Sequence, residues 1–121
     1  MRQVIDLTPT EVDLRLYAGD GALLKLLLKD QAGQPMDVSG DAFEADIRVQ
    51  PSDSTEAVTF DVDLTDAATG VVALALTGAQ TADLVNGTDF LGVWDVQWIA
   101  SGAEPRTLVR GKVQVPQDVT R

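Results

Sequence analysis

Hydrophobic and polar residues alternate along much of this chain, most clearly toward its C-terminal end. Leu91–Ile99 sets Gly92, Trp94, Val96 and Trp98 on one face and Val93, Asp95, Gln97 and Ile99 on the other, because successive strand side chains point to opposite sides. Thr107–Val115 likewise sets Val109, Gly111, Val113 and Val115 against Leu108, Arg110, Lys112 and Gln114. Joined by the turn-rich Ala100–Arg106, the two segments predict a β-hairpin whose tryptophans anchor a core. The same period runs through Val12–Tyr17 (Val12, Leu14, Leu16 inward), Phe43–Val49 (Phe43, Ala45, Ile47, Val49 inward) and Val58–Leu64 (Val58, Phe60, Val62, Leu64 inward).

Two segments are apolar on both faces. Ala22–Lys29 is built of good helix formers, but it is short and bounded by Asp20-Gly21 and Ala32-Gly33-Gln34-Pro35, which predicts a strand. Leu24, Leu26 and Leu28 then face inward, leaving Leu23, Lys25, Leu27 and Lys29 outward. Val71–Leu76 sets Val72, Leu74 and Leu76 against Val71, Ala73 and Ala75. After it, Thr77 followed by Gln80 predicts one short helical turn over 77–84, capped by Thr77.

Glycine and proline punctuate these runs. Gly19-Asp20-Gly21 reads as a hairpin turn, Asp30–Gly40 as a loop, Pro51–Ser54 as a break, Thr65–Gly70 as a turn ending in a left-handed glycine, and Asn86-Gly87 as a further turn. Seven short strands so spaced predict an all-β, immunoglobulin-like two-sheet β-sandwich. The cysteine pair and third-strand tryptophan of antibody domains are missing, so the term describes architecture only. The expected organisation is an extended arm over 1–11, the sandwich over 12–116 and a polar tail over 117–121. The arm reads either as a free terminus or as a strand offered to a neighbouring subunit's sheet edge.

Composition narrows the picture. At 121 residues the chain makes one domain, and roughly two-thirds of its unfolded surface can be buried. Without cysteine, disulfides and thiolate metal sites are excluded. The 19 acidic against 9 basic residues leave a net charge of −10, which repels phosphate backbones and argues against nucleic acid. The N-terminal residues lack the apolar core of a signal peptide, and no run approaches the ~20 apolar residues of a membrane span. A soluble protein, not exported by a cleaved signal, is expected.

Catalytic chemistry finds little footing. Histidine and cysteine are both absent, so there is no ordinary proton shuttle at neutral pH and no thiolate nucleophile. Gly19 and Gly21 precede no helix and no phosphate-binding lysine. The expectation is no enzyme, no catalytic residue and no cofactor. Asp61, Asp63 and Asp66 gather hard oxygens that suggest calcium, but the glycine and bidentate glutamate of an EF-hand loop are missing. The plainer reading is a solvated acidic face that protects a sheet edge, with no metal.

Two surfaces remain. Trp94 and Trp98 share one strand face ~13 Å apart, a spacing at which an exposed pair stacks sugar rings in a carbohydrate-binding or adhesion module. Their neighbours Gly92 and Val96 favour core instead, with Phe43 and Phe60 as further core anchors and Trp98 toward the rim. On the other sheet, an immunoglobulin-type strand order makes the second and fifth strands neighbours. Leu23, Leu27, Val71, Ala73 and Ala75 would then merge into one outward apolar patch, a candidate docking surface.

Several stretches also resemble a known group of proteins. These are Ala18-Gly19-Asp20-Gly21, the loop Asp30–Gly40, Leu64–Val72, Gly92-Val93-Trp94-Asp95-Val96-Gln97-Trp98, and Arg110–Val115 with Asp118-Val119-Thr120. Together they are similar to small immunoglobulin-like virion domains of tailed bacteriophages. They resemble in particular the N-terminal domain of baseplate upper proteins and related tail or capsid accessory proteins of actinobacterial phages. The likeness covers most of Leu14–Thr120. It implies a non-enzymatic structural protein: a minor tail or baseplate component, neck adaptor or capsid decoration protein. Its partners would be other virion proteins, as a homo-oligomer or in many copies, without nucleic acid or membrane. Its place would be the virion, after synthesis in the bacterial host cytoplasm.

Overall fold

The C-terminal hairpin forms as its alternation predicts. In the computed structural model, which describes residues 9–30, 32–85 and 87–116, β8 (Phe90–Ile99) and β9 (Arg106–Val115) pair antiparallel with Trp94 opposite Gly111. The register shifts once, between Val96 and Gln97. This bulge leaves Leu108 without a cross-strand partner and packs it against the core, although simple alternation had turned it toward Arg110 and Lys112.

Preceding these are β1 (Thr10–Glu11), β2 (Leu14–Arg15), β3 (Ala22–Leu27), β4 (Ala42–Arg48), β5 (Val58–Thr59), β6 (Asp61–Asp63) and β7 (Val71–Leu76). One sheet runs β1-β9-β8-β4-β5, with β2 also on β9, and the other runs β3-β7-β6. This is an immunoglobulin-like two-sheet sandwich. Its core cluster joins Phe43, Ala45 and Ile47 of β4 and Trp94 and Val96 of β8 with Val72 and Leu74 of β7. A buried tryptophan thus stands on β8.

Nine strands replace the expected seven among the described residues, because one alternating run is divided between the sheets and the expected arm contributes a short strand. Val58–Leu64 changes sheets at Phe60: Val58 and Thr59 pair with β4, whereas Asp61 to Asp63 pair with β7. Phe60 is the pivot, donating its N–H to the Ala45 carbonyl at 2.8 Å while its ring is buried. Val12–Tyr17 is shortened to Leu14–Arg15, with Val12 and Asp13 separating it from β1. Val12, expected inward, is exposed, and its carbonyl accepts the indole N–H of Trp94 at 2.7 Å. Thr10 and Glu11 pair in parallel with β9, so the sheet begins inside the segment that the sequence assigns to an arm. Residues 1–8 and the tail over 117–121 lie outside the described residues, as does Asn86 of the expected Asn86-Gly87 turn. Val49 lies beyond the end of β4 and is exposed rather than inward.

Gly19-Asp20-Gly21 is not a hairpin turn. β2 belongs to the larger sheet and β3 to the smaller, so this turn carries the chain between layers. It is held by α1 (Gly78–Leu84), which Thr77 and Gln80 start with a reciprocal capping box, as their spacing predicts. Thr81 of α1 is fully buried; its Oγ1 accepts the Gly19 N–H at 3.1 Å and donates to the Asp20 carbonyl at 2.8 Å. Thr81→Val keeps the shape but strands both backbone groups, and is expected to cost about 1–3 kcal/mol in urea unfolding. Thr81→Ser, which keeps the hydroxyl, should lose clearly less.

Candidate functional site

The outward face of the smaller sheet brings the predicted docking residues together. β3 pairs with β7 so that Leu23 lies opposite Ala75, Lys25 opposite Ala73 and Leu27 opposite Val71. β6 continues two of these rows, with Asp61 opposite Ala75 and Asp63 opposite Ala73. Leu23 is 66% and Leu27 61% exposed, whereas Leu24, Leu26, Val72 and Leu74 on the reverse face belong to or pack against the core. Val71, Ala73 and Ala75 are half-buried between their neighbours. The strand reading of Ala22–Lys29 therefore holds over Ala22–Leu27 with the expected facing, and the excess leucines on β3 meet water.

The patch is apolar but not uniform. Lys25 divides Leu23 from Leu27, and Asp63 stands two strands away in the same row. The Asp63 carboxylate is held below the usual range, chiefly by the Thr65 hydroxyl and backbone N–H it accepts, with a smaller contribution from Lys25. Asp63 Oδ1 thus shapes the turn after β6. No cluster of three His, Cys, Asp or Glu side chains placed to hold a metal ion occurs among the described residues.

The tryptophans do not form an open platform. Trp94 is 3% exposed and its ring packs on Phe60, with centroids 5.9 Å apart. Trp98 is half-buried: it stacks on Phe43 at 6.4 Å, nearly parallel, and donates its indole N–H to Asp41 Oδ2 at 2.8 Å. Phe43 and Phe60 are buried as expected of core anchors. The sugar-stacking reading needs two open rings on one face, and Trp94 is closed by packing.

A second feature escaped sequence reading. The outer face of the larger sheet holds a shallow groove of about 480 Å³ lined by Glu11, Asp46, Arg48, Asp95, Arg110 and Lys112, among others. Register alone assembles it, since Asp46, Asp95, Arg110 and Glu11 are successive cross-strand partners on four strands. In sequence they are isolated polar positions in four separate runs, and only their shared outward parity hinted at a common face. Arg48 bridges Asp46 at 3.5 Å and Glu56 at 3.7 Å, and Arg110 meets Glu11 at 3.1 Å. Most of this charge is balanced internally, and no nucleophile stands beside a base.

Asp95 is the strained member. Burial pushes its carboxyl above the usual aspartate range and Asp46 adds to this, while Arg48 opposes both. A raised folded-state value means that protonation favours the fold. The associated stability is present below the unfolded aspartate value of about 3.9 and is lost as pH rises through the folded one. Asp95→Asn is therefore expected to raise the melting temperature at pH 7, with the gain vanishing near pH 3. An equal shift at both pH values in thermal melts would contradict this.

Comparison with known proteins assigns neither a family nor a function. No family model matches the chain, and no curated protein does. Among solved structures, the Lin-41 filamin domain is 15% identical with a TM-score of 0.46, covering 86% of this chain and 84% of that one. Tim-1 is 11% identical with a TM-score of 0.49, covering 94% and 99%. A voltage-gated sodium channel β-subunit structure is 10% identical with a TM-score of 0.49, covering 96% and 100%. This likeness is slight. At these identities it carries no function across, and the sandwich architecture stands on the pairing of the chain's own strands. No helix among the described residues is long and apolar enough to cross a membrane.

Proposed function

We propose that this protein is a non-enzymatic structural component of a tailed-phage virion, acting by docking onto other virion proteins through the outer face of its smaller sheet. The observation that carries the docking part is the exposure of Leu23 and Leu27 on one face, to either side of Lys25 and beside Val71, Ala73 and Ala75. Apolar surface of this kind on a folded domain marks a protein contact. The virion part is supported by the sequence stretches that resemble phage tail and capsid accessory domains. The minor tail, baseplate, neck and decoration roles are all compatible with a sandwich of this size.

Leu27→Glu tests the docking surface. An exposed side chain contributes little to folding, so its melting curve should stay within about 0.5 kcal/mol of wild type, while co-purification with intact particles is lost. Normal incorporation of a folded Leu27→Glu protein would overturn the assignment of this face. Immunogold labelling of virions locates the protein on head, neck or tail tip, and unlabelled particles would overturn the virion role itself. A glycan array is expected to show no binding, given the closed packing of Trp94.

A further inference from the structure

We infer that the outer face of β3, β7 and β6 pairs with the same face of a second copy of this chain, about a two-fold axis running along β7 through Ala73. The inference rests on that face being the docking surface proposed above, and it names the occupant. Its argument is the order of residues in the central row, which runs Lys25, Ala73, Asp63 across the three strands. Strands lie about 4.8 Å apart, so the lysine and the aspartate flank the alanine at equal distance on opposite sides. A two-fold axis along β7 reverses the row. Lys25 of one copy then lies over Asp63 of the other, and Asp63 over Lys25, with alanine on alanine between them.

The other in-plane two-fold, across the strands, would set Lys25 on Lys25 and is disfavoured by like charge. The small residues of β7 also matter. Ala73, Ala75 and Val71 let two sheets approach closely, while Leu23 and Leu27 stand out on β3 to either side of Lys25; with the strands aligned, the same axis would set Leu23 of one copy over Asp61 of the other. Face-packed sheets cross at about 30°. That rotation displaces the outer rows more than the central one, so complementarity is required mainly of the Lys25–Ala73–Asp63 row.

The area sets the strength. Two strands of six residues and one of three present roughly 240 Å² per copy, against about 800 Å² per partner in a standard stable interface. Pairing is therefore weak in free solution, and becomes effective where a particle holds many copies close together.

Sedimentation velocity on the wild-type protein up to about 1 mM is expected to show reversible self-association that weakens as salt rises. Lys25→Asp and Asp63→Lys each place like charges in both contacts and should weaken association by about tenfold or more. An equimolar mixture of the two variants should restore it, since every contact then joins opposite charges. Rescue by mixing separates a contact between copies from the Lys25–Asp63 influence within one copy, which mixing cannot repair. Because Asp63→Lys removes the acceptor for Thr65, Asp63→Asn serves as a second partner; mixed with Lys25→Asp it should associate more strongly than Lys25→Asp alone. Failure of both mixtures to recover association, or a wild-type protein that stays monomeric throughout, overturns the inference. If Leu27→Glu still abolishes incorporation into particles in that event, the docking face stands and its partner is a different virion protein.

Discussion

Trp94→Ala is expected to cost about 3–5 kcal/mol of folding stability, read as a lowered urea midpoint with an unchanged slope. Domains of this kind hold about 5–15 kcal/mol in total, so much of the margin goes. Three losses combine. The indole is 3% exposed, so its removal leaves a cavity between the sheets. Its ring contact with Phe60 disappears. The Val12 carbonyl loses the indole N–H that it accepts at 2.7 Å. Trp94→Phe separates these contributions, since it keeps most of the packing and removes the hydrogen bond. It should cost about 1 kcal/mol from the bond and a smaller amount from the reduced ring. A Trp94→Ala protein within 1 kcal/mol of wild type would show that the anchor lies elsewhere.

Gly111→Ala is expected to be nearly as damaging, at about 3 kcal/mol, although it adds one methyl group. The position lies opposite Trp94 on β9, and a Cβ there would fall on the Val12 carbonyl. Backbone cannot yield as a flexible side chain does, so β1 and β2 must move off β9 or β9 must bend. The first response would open the N-terminal strands to protease before global unfolding, and limited proteolysis of the folded variant should cut near Val12. Gly40→Ala is the control: nothing lies within 4 Å of its Cβ and its φ is not positive, so its stability should stay within about 0.5 kcal/mol of wild type. Equal stability of the two variants would mean that Val12 does not sit over Gly111.

These two positions show where sequence reading reaches its limit. Gly111 looks like one more small residue on an inward face, and Val12 like one more inward apolar residue. Their collision depends on the parallel docking of the N-terminal segment along β9, a contact between residues some hundred positions apart that no local pattern encodes. Gly19–Gly21 tells the same story. A Gly-Asp-Gly turn between two alternating strands is a hairpin signal, and only the assignment of β2 and β3 to different sheets makes it a crossing. Val58–Leu64 keeps an unbroken alternation through Phe60 because inward remains inward on both sides of the sheet change. Period alone cannot reveal that the hydrogen-bond partners have switched.

The apolar outer face of β3 and β7 was more legible. Excess leucine on β3 and paired alanines on β7 violate the polar-out rule in each strand separately, and the strand order of an immunoglobulin-like sandwich predicts that the violations adjoin. The charged groove on the larger sheet was not legible, because each of its residues obeys the rule that polar side chains face water.

By itself the sequence determined most of the strands, the capped helical turn, most inward positions with Phe43, Phe60 and Trp94 in the core, and the apolar character of the β3 and β7 outer positions. These are set by periodicity and local backbone chemistry, which act within a few residues. Only the tertiary structure decided the sheet change at Phe60, the seating of Val12 over Gly111, the crossing at Gly19–Gly21 and the row Lys25–Ala73–Asp63. Each of those depends on register between distant strands, where a shift by one residue would exchange every face, and register is chosen by how the whole core packs.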